Sequence, residues 1–348
     1  MNFERGSLGL VVVSVAVLLG AVVLDPPSSA TSSPKVSLEI PVYEVAGGPA
    51  MAPIIKVFKA PLAALVAPHT GSRVAPGTER QRVIAALLAD PTTTKLSRVF
   101  AGIGYKLDSV LSEGVRVPRL FLASLPADMV EIRESKFRKA LFFQTVLPLI
   151  LQVNEEILAD RRRIWRIRFH SKLGERTDAA DRLWLSVQAE RYGVKPGDLD
   201  ALLRRVDIIP PSMALAQAAE ESGWGTSRFV REGNAVFGQW TFSETASLTP
   251  LRRDEGKTHK IKGFASLVDS VRAYVLNLNT HRAYRGLRKA RAGLRSKGAP
   301  LDGEALAGKL TSYSERGKKY VAVIRSIISA NGLRQLDDAR LSIADSVI

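Results

Sequence analysis

Two adjacent glutamates at the end of a predicted helix are the residues of this sequence with the best placement for acid–base chemistry. Pro210 and Pro211 favour a helix start and Gly223 favours a stop, so we predict a helix of about eleven residues that ends just after Glu221. The last turn of a helix carries the negative end of its dipole, which raises the pKa of a carboxyl group there. Glu220 and Glu221 are therefore candidates for a proton-holding acid.

The residues around the two glutamates predict different surroundings for Glu220 and for Glu221. Gln217 lies four residues before Glu221 and Trp224 three residues after it, so both are expected on the Glu221 side of the helix. A carboxyl group against an indole ring keeps its proton near neutral pH, as general acid catalysis requires. Glu220 is rotated by roughly 100° and faces elsewhere. We predict Glu221 as a general acid; the alternative interpretation is a solvated helix end.

Other reaction chemistries find little support in the composition. The chain has no cysteine, which excludes disulfides, thiolate metal sites and a cysteine nucleophile. Its four histidines are scattered and form no HxxxH pair. The hydroxyls that follow the acid (Ser222, Thr226 and Ser227) have no histidine nearby in sequence, so a serine hydrolase is not supported. We expect neither a metal nor a cofactor.

The stretch AQAAEESGWGTS, followed by GNAVFGQW, resembles the bacterial glucosaminidase family. These endo-β-N-acetylglucosaminidases cut peptidoglycan, and the family includes the flagellar peptidoglycan hydrolases. The similarity is greatest to the Bax-type branch and continues through residues 264–288 and 313–333. It covers residues 194–333 and extends weakly to residues 154–163.

The resemblance implies a lysozyme-like fold of the mainly α (α+β) class, with a small β-lobe and a cleft between lobe and helices. It implies that Glu221 protonates the glycosidic oxygen and that the segment NAVFG lines the cleft, with Asn234 available to a sugar acetamido group. Tyr313 resembles a tyrosine that the family places near the cleaved bond. Ala235 stands where the family usually has a second Asn, so one polar contact is missing. We interpret Phe237 as a core residue.

A second catalytic group is sought in the expected β-lobe, because most glycosidases use two carboxylates. The lobe offers Glu244, Asp254 and Glu255, of which we select Glu255. The alternatives are that Glu255 is a solvated charge, or that the substrate's own acetamido oxygen assists. The substrate-binding candidates are Gln217, Trp224, Asn234, Gly238, Gln239 and Tyr284. Tyr284 and Tyr320 can equally be residues of the core or of the cleft rim.

The chain begins with an apolar run at residues 8–24, which we interpret as a cleaved signal peptide or a membrane anchor. In either case the remainder is exported. The predicted organisation is a signal segment (1–30), a Pro-rich linker (31–76), a helical N-terminal region (77–193), a lysozyme-like glucosaminidase domain (194–335) and a tail (336–348).

A second apolar run, residues 140–153, contains Pro148 and is too short to span a bilayer. We predict a buried, kinked helix there that continues into the polar residues 154–168. Further helices are predicted over residues 179–192, 211–222, 266–279 and 319–331, and an irregular or hairpin segment between 239 and 264.

The chain carries 50 Lys plus Arg against 34 Asp plus Glu, a net charge of +16 that points to anionic partners. Residues 281–297 hold seven Lys or Arg and no acid, and five of the arginines recur at helical spacing. In an exported protein such a face suits the carboxylates of peptidoglycan or an anionic lipid surface. Export argues against nucleic acid, and the oligomeric state is left open.

We therefore predict a peptidoglycan hydrolase that cleaves the β-1,4 bond after N-acetylglucosamine, with Glu221 as the acid. Two alternatives stay open. One is a lytic transglycosylase on the same fold, which closes an anhydro ring instead of adding water. The other is a non-catalytic, basic cell-wall-binding or scaffold protein.

Overall fold

The computed structural model describes residues 91–241, 247–248 and 260–343, all of which belong to one compact unit, Gly71–Ile348. The apolar run 8–24, the linker 31–76 and Glu255 lie outside the described residues, together with Glu244 and Asp254. The described α-helices are α1 (Thr93–Gly102), α2 (Leu107–Glu113), α3 (Ser135–Lys172), α4 (Ala179–Arg191), α5 (Leu199–Arg205), α6 (Pro211–Ser222), α7 (Arg228–Gly233), α8 (Leu267–Thr280), α9 (Arg285–Ser296), α10 (Gly303–Ala307) and α11 (Lys318–Ala330). Short 3₁₀ helices occupy Ala127–Glu131, Arg282–Tyr284 and Leu333–Asp338.

Strands form only a small part of the described residues. β1 (Trp240–Thr241), β2 (Ser247–Leu248) and β3 (Lys260–Lys262) form an antiparallel sheet in the order β1-β3-β2, with Ile261 of β3 opposite Trp240 on one side and Leu248 on the other. The expected mainly helical class is confirmed. A separate β-lobe is not shown, because strands of two or three residues make up the whole described sheet.

Helix α3 joins the two stretches that the sequence predicted as one kinked helix. It runs for 38 residues with Pro148 inside, and its apolar half supplies core residues such as Phe142 and Phe143. Among the described helices it alone is long and apolar enough to cross a membrane, but 72% of its apolar window is buried inside the protein. That burial is typical of a core helix.

Helix α6 lies at the centre of this core. It packs against α3, α10, α11 and the 3₁₀ helix Leu333–Asp338. Ala214, Ala216, Ala218 and Ala219 are fully buried, and their small side chains let the surrounding helices approach closely. The predicted limits of this helix are confirmed: Pro211 occupies its first turn and Gly223 ends it with a left-handed backbone.

One hydrophobic core includes residues from the predicted helical region and from the predicted catalytic domain. Part of the predicted tail also packs. Asp337 accepts hydrogen bonds from the backbone N–H groups of Ser212 (2.9 Å) and Gly303 (2.8 Å). Leu341 is buried and forms a β-bridge with Val117. Described residues from both predicted regions and from the predicted tail therefore contribute to one packed body.

Two arginines of α9 face the protein interior, whereas the other five Lys or Arg of residues 281–297 are exposed, so only Arg288 and Arg291 are removed from the predicted basic surface. Arg291 is 1% exposed and donates hydrogen bonds to the backbone carbonyls of Arg204, Arg205, Asp207 and Ile208. These contacts satisfy a buried guanidinium, which would otherwise be costly. Burial lowers the pKa of Arg291 to about 10, so the side chain stays charged at neutral pH.

Two more arginines of α9 bond to the body of the protein, and of these Arg288 is buried while Arg295 is exposed. Arg288 is buried and donates to the carbonyls of Leu278 and His281 at 2.9 Å, and Arg295 forms a 2.9 Å ion pair with buried Asp207. Burial alone would raise the pKa of Asp207, but the neighbouring arginine charges and the Arg295 hydrogen bond hold it below its usual value. Helical spacing predicted that these arginines share a face, but not that Arg288 and Arg291 are buried.

Replacing Arg291 by Leu should destabilise the fold by roughly 3–5 kcal/mol, because it removes a charge that compensates buried Asp207 and leaves carbonyls unpaired. Lys289→Leu, at an exposed position of the same helix, should change the free energy of unfolding by no more than about 0.5 kcal/mol. Urea denaturation of both variants tests this. Equal effects would contradict the assigned role of Arg291.

Candidate active site

The turn after α6 explains the residue types of the ESGWG motif. Ser222 Oγ donates to the carbonyl of Ala218 (2.6 Å) and accepts from the N–H of Gly225 (3.0 Å), which closes the helix end. Gly225 has φ +81°, and a Cβ there would lie 2.9 Å from Leu125 Cδ1. Glycine is therefore required at that position, and the turn holds the last helical turn, with Glu221, in place.

A tyrosine from α11 holds the Glu221 carboxyl. Tyr320 Oη donates to Glu221 Oε1 at 2.7 Å, and Gln217 Nε2 donates to Tyr320 Oη at 3.0 Å. Tyr274 Oη, from α8, donates in turn to Gln217 Oε1 at 2.7 Å. We call this chain of hydrogen bonds the Tyr274–Gln217–Tyr320 relay. All three side chains are fully buried, so the relay supports the carboxyl from the protein side.

This arrangement changes the role predicted for Gln217. The sequence placed it next to Glu221 as a substrate-binding residue, and the structure does place it one hydrogen bond behind the acid. Both functional atoms of its amide are used by Tyr274 and Tyr320, and its exposed fraction is 0%. Gln217 therefore orients the group that holds Glu221 and leaves no surface for a sugar.

The environment of Glu221 favours its protonated form. Burial raises the pKa of its carboxyl above the usual value, and the charge of Glu220 adds to that effect. The hydrogen bond from Tyr320 and the charge of Arg316 act in the opposite direction but do not overcome the burial. Desolvation penalises the charged form of a carboxyl, so Glu221 holds its proton to a higher pH than an exposed glutamate.

Glu220 faces a different partner, as predicted from the rotation of the helix. Arg316 Nη2 lies 2.7 Å from Glu220 Oε1, and the Arg316 guanidinium also sits 5.3 Å from the centre of the Tyr320 ring. The hydrogen bond that Arg316 donates to Glu220 raises the pKa of Arg316, which therefore stays charged. The two adjacent glutamates thus have separate environments: one is an ion pair and the other an acid.

Three tyrosine rings line up beside the acid. Tyr313 stacks on Tyr320 with ring centres 5.4 Å apart and planes 8° apart, and Tyr284 lies 5.9 Å beyond Tyr313. We call Tyr284, Tyr313 and Tyr320 the tyrosine stack. Burial, followed by the neighbouring Tyr320 and then by the charge of Glu221, raises the pKa of Tyr313 well above its usual value. Burial also raises the pKa of Tyr284 to about 12. The phenols stay protonated at neutral pH.

The phenol in contact with the acid belongs to Tyr320, which the sequence treated as a core or rim residue. Tyr313, the predicted tyrosine, instead aims its hydroxyl at the carbonyl of Phe237, at 3.4 Å. Local spacing had no means of selecting Tyr320, because it lies 99 residues after Glu221. The sequence feature that could have pointed to Tyr320 is its position in residues 313–333, a segment that resembles the glucosaminidase family.

The NAVFG segment lies against the second oxygen of the acid. Gly238 has φ +57°, and a Cβ there would lie 3.8 Å from Glu221 Oε2. Phe237 is buried and stacks on Tyr274 with ring centres 3.8 Å apart, which confirms it as a core residue. Glycine at 238 keeps side-chain atoms away from Oε2, so the structure places this substrate-binding candidate beside the acid.

Two other candidates on this segment have different surroundings. Asn234 adopts a left-handed backbone with φ +52°, and its Nδ2 donates to the carbonyl of Phe264 at 3.2 Å. This bond ties the segment to the chain before α8. Asn234 Oδ1 and Gln239 Oε1 are buried acceptors with no hydrogen-bond partner among the described residues.

Trp224 has neighbours other than those predicted. Its backbone has φ +60°, and its ring packs on Phe142 and Phe143 of α3, with Lys139 Nζ 4.7 Å from the ring centre. The three-residue helical spacing does not apply, because α6 ends at Ser222 and the chain turns there. The aromatic side chain bonded to the acid is Tyr320, and Trp224 anchors the turn to α3.

Within the described ranges, no group of three or more His, Asp or Glu side chains is placed to hold a metal ion. The other carboxylate whose charge acts on the Glu221 pKa in this part of the chain is Glu220. The described site therefore consists of Glu221, the Tyr274–Gln217–Tyr320 relay, the tyrosine stack and the NAVFG segment, which ends at Gly238.

A buried carboxyl with a raised pKa at a helix end is the kind of group that glycosidases use to protonate a leaving oxygen. Residues 198–333 match the family model Glucosaminidase, described as mannosyl-glycoprotein endo-beta-N-acetylglucosaminidase. All described site residues fall in this range. The chain belongs to the glucosaminidase family.

Comparison with individual proteins gives two further similarities. The chain is 39% identical over 204 residues to Protein bax of Escherichia coli K12, covering 57% of this chain and 71% of that protein. Among solved structures, the catalytic domain of the autolysin Auto from Listeria monocytogenes matches with a TM-score of 0.30 at 19% identity, over 49% of this chain and 94% of that chain.

Replacing Tyr320 by Phe should raise the pKa of Glu221 further, because the lost hydrogen bond favours the charged carboxylate. An NMR titration of glutamate side chains labelled with ¹³C measures this shift. Tyr313→Phe is the matched control, because its hydroxyl bonds to a backbone carbonyl. A Glu221 pKa that falls or stays constant in Tyr320→Phe would contradict the assigned contact.

The raised pKa of Glu221 also predicts how stability depends on pH. The folded state holds the proton more tightly than the unfolded state, so stability is lost as pH rises through the folded-state pKa. Glu221→Gln removes that loss and should be more stable than the wild type at pH 7. The difference should vanish below about pH 4, where both states are protonated. Urea midpoints of both proteins at the two pH values measure this difference in stability. A Glu221→Gln protein that is less stable than the wild type at pH 7 would refute the prediction.

Proposed function

We propose that this protein is a peptidoglycan hydrolase, an endo-β-N-acetylglucosaminidase that cleaves the β-1,4 bond after N-acetylglucosamine with Glu221 as general acid. The observation that carries the proposal is the Glu221 carboxyl: it is partly buried, its pKa is raised, and one of its oxygens is held by Tyr320. Membership of the glucosaminidase family supports the substrate class.

The hydrogen-bond directions indicate which oxygen carries the proton. Gln217 Nε2 can only donate, so Tyr320 Oη accepts from it and turns its own hydrogen toward Glu221 Oε1. Oε1 is therefore an acceptor, and the proton resides on Oε2, the oxygen next to Gly238. A glycosidic oxygen placed in the space beside Gly238 would receive it.

Cleavage then follows the usual course for a glycoside. Glu221 gives its proton to the glycosidic oxygen, the bond from that oxygen to the anomeric carbon breaks, and positive charge develops on the sugar ring. Water adds to the anomeric carbon, and the proton that it loses returns through solvent to the Glu221 carboxylate, which restores the starting charges. Tyr313 is our candidate for stabilising the developing charge, because its ring stacks directly on Tyr320. Glu255 is our candidate for the second catalytic group, and the substrate acetamido oxygen is the alternative.

The proposal includes export to the cell envelope. The apolar residues 8–24 have the length and position of a signal peptide or anchor. The net charge of +16 favours a polymer that bears carboxylates, such as peptidoglycan. Asn234, Gln239 and Tyr284 are retained as candidates for contacts to the glycan.

Digestion of purified peptidoglycan by the full chain tests the function. Glu221→Gln should lower the rate about 10²–10⁴-fold, the usual contribution of general acid catalysis. Glu220→Gln is the matched control and should stay within about threefold of the wild type, because its ion pair with Arg316 is at the surface. Mass spectrometry of the reduced products identifies new N-acetylglucosamine ends.

Other outcomes would overturn this proposal in distinct ways. Products with anhydro-muramic ends would identify a lytic transglycosylase on the same site. Equal rates for the wild type and Glu221→Gln would refute Glu221 as the acid. Glycan that is bound but uncleaved by every variant would indicate a cell-wall-binding protein.

A further inference from the structure

The second half of α3 carries large apolar side chains on its solvent side. Trp165 is 47% exposed, Phe169 is 60% exposed and Leu173, at the end of the helix, is 61% exposed. Their spacing of four residues places them on one side of the helix. Ile164 and Ile167, on the opposite side, are buried. The helix thus has a core side and a second apolar side that faces solvent.

The same outward side carries exposed positive charge. Six Lys or Arg lie between residues 161 and 172, with no acid among them. Three of the six have acidic partners: Arg161 lies 3.8 Å from Asp207, Arg163 2.6 Å from Asp181, and Arg168 2.8 Å from Asp200. The other three are exposed and have no ion-pair partner within the described ranges; they are Arg162, Arg166 and Lys172.

We define the outer face of α3 as the three apolar residues and the three exposed cations, Trp165, Phe169, Leu173, Arg162, Arg166 and Lys172. Helical rotation brings these six side chains to one half of the helix surface, with Arg162 three residues before Trp165 and Lys172 three residues after Phe169. Exposed apolar groups in such a cluster mark a contact surface. All six lie outside the residues 198–333 that match the family model.

We propose that the outer face of α3 docks on the surface of an anionic phospholipid bilayer. Trp, Phe and Leu side chains on a helix that lies in the membrane plane enter the boundary between headgroups and acyl chains. Arg and Lys on the same side reach the phosphates, and long basic side chains allow both contacts at once. The charge of the face selects the anionic lipid, and its convex helical surface suits a plane. This docking is independent of the proposed catalytic activity.

The absence of cysteine allows a clean test with the full chain, because a single introduced cysteine carries the probe. Leu173→Cys, labelled with the environment-sensitive dye NBD, keeps Trp165 and Phe169. On vesicles of phosphatidylglycerol and phosphatidylcholine its emission should rise severalfold and shift to shorter wavelength. The same dye at Ser329→Cys, an exposed position on α11, should not respond. A dye readout is needed because the apolar residues 8–24 can hold the chain on any vesicle.

Charge reversal distinguishes binding through the outer face of α3 from general electrostatic attraction of a basic protein to anionic vesicles. Arg162→Glu with Arg166→Glu should abolish the response of the dye at residue 173. Lys289→Glu with Lys297→Glu, an equal charge change at exposed positions of α9 and just after it, should preserve it. The proposal is overturned if the dye does not respond to anionic vesicles, or if both double variants behave alike. A response that grows with protein concentration without vesicles would instead identify a second copy of this chain as the occupant.

Discussion

The hydrogen bond between Tyr320 and Glu221 is the constraint on which the site depends. It joins the last turn of α6 to α11, and within the described ranges it is the hydrogen bond that holds one oxygen of a partly desolvated carboxyl. A buried hydroxyl must satisfy its hydrogen-bonding groups, and here the donor goes to the acid and the acceptor to Gln217. Burial of the relay and the raised pKa of the acid are therefore two consequences of one packing arrangement.

The central position of α6 makes that arrangement stable. Helices on several sides bury its alanines, so the acid stands at the end of the most enclosed helix of the described fold. The turn formed by Ser222, Gly223 and Gly225 then stops the helix and leaves no room for side chains. The hydrogen-bonded support behind Glu221, with Gly238 beside its Oε2, suits a group that must give up a proton in a fixed direction.

Arginine serves two opposite purposes in this protein. On α9, Arg288 and Arg291 are buried against backbone carbonyls, and the exposed Arg295 forms an ion pair with buried Asp207. On the second half of α3, Arg162 and Arg166 turn outward beside exposed aromatic rings. The net charge of +16 is therefore a poor guide to the binding surface, because part of it is structural.

The sequence by itself determined the limits of α6, the place of Glu221 in its last turn, the continuity of α3 and the family, because caps, periodicity and motifs act over a few neighbouring residues. It also separated Glu220 from Glu221, because helical rotation alone does so. Only the tertiary structure decided that Tyr320 holds the acid, that Gln217 lies behind it, that Trp224 packs on α3 and that Arg288 and Arg291 are buried. These contacts join residues that lie up to about a hundred positions apart in the chain. They form because burial and satisfied hydrogen bonds lower the free energy of the folded state, and local sequence spacing carries no information about which distant surfaces meet.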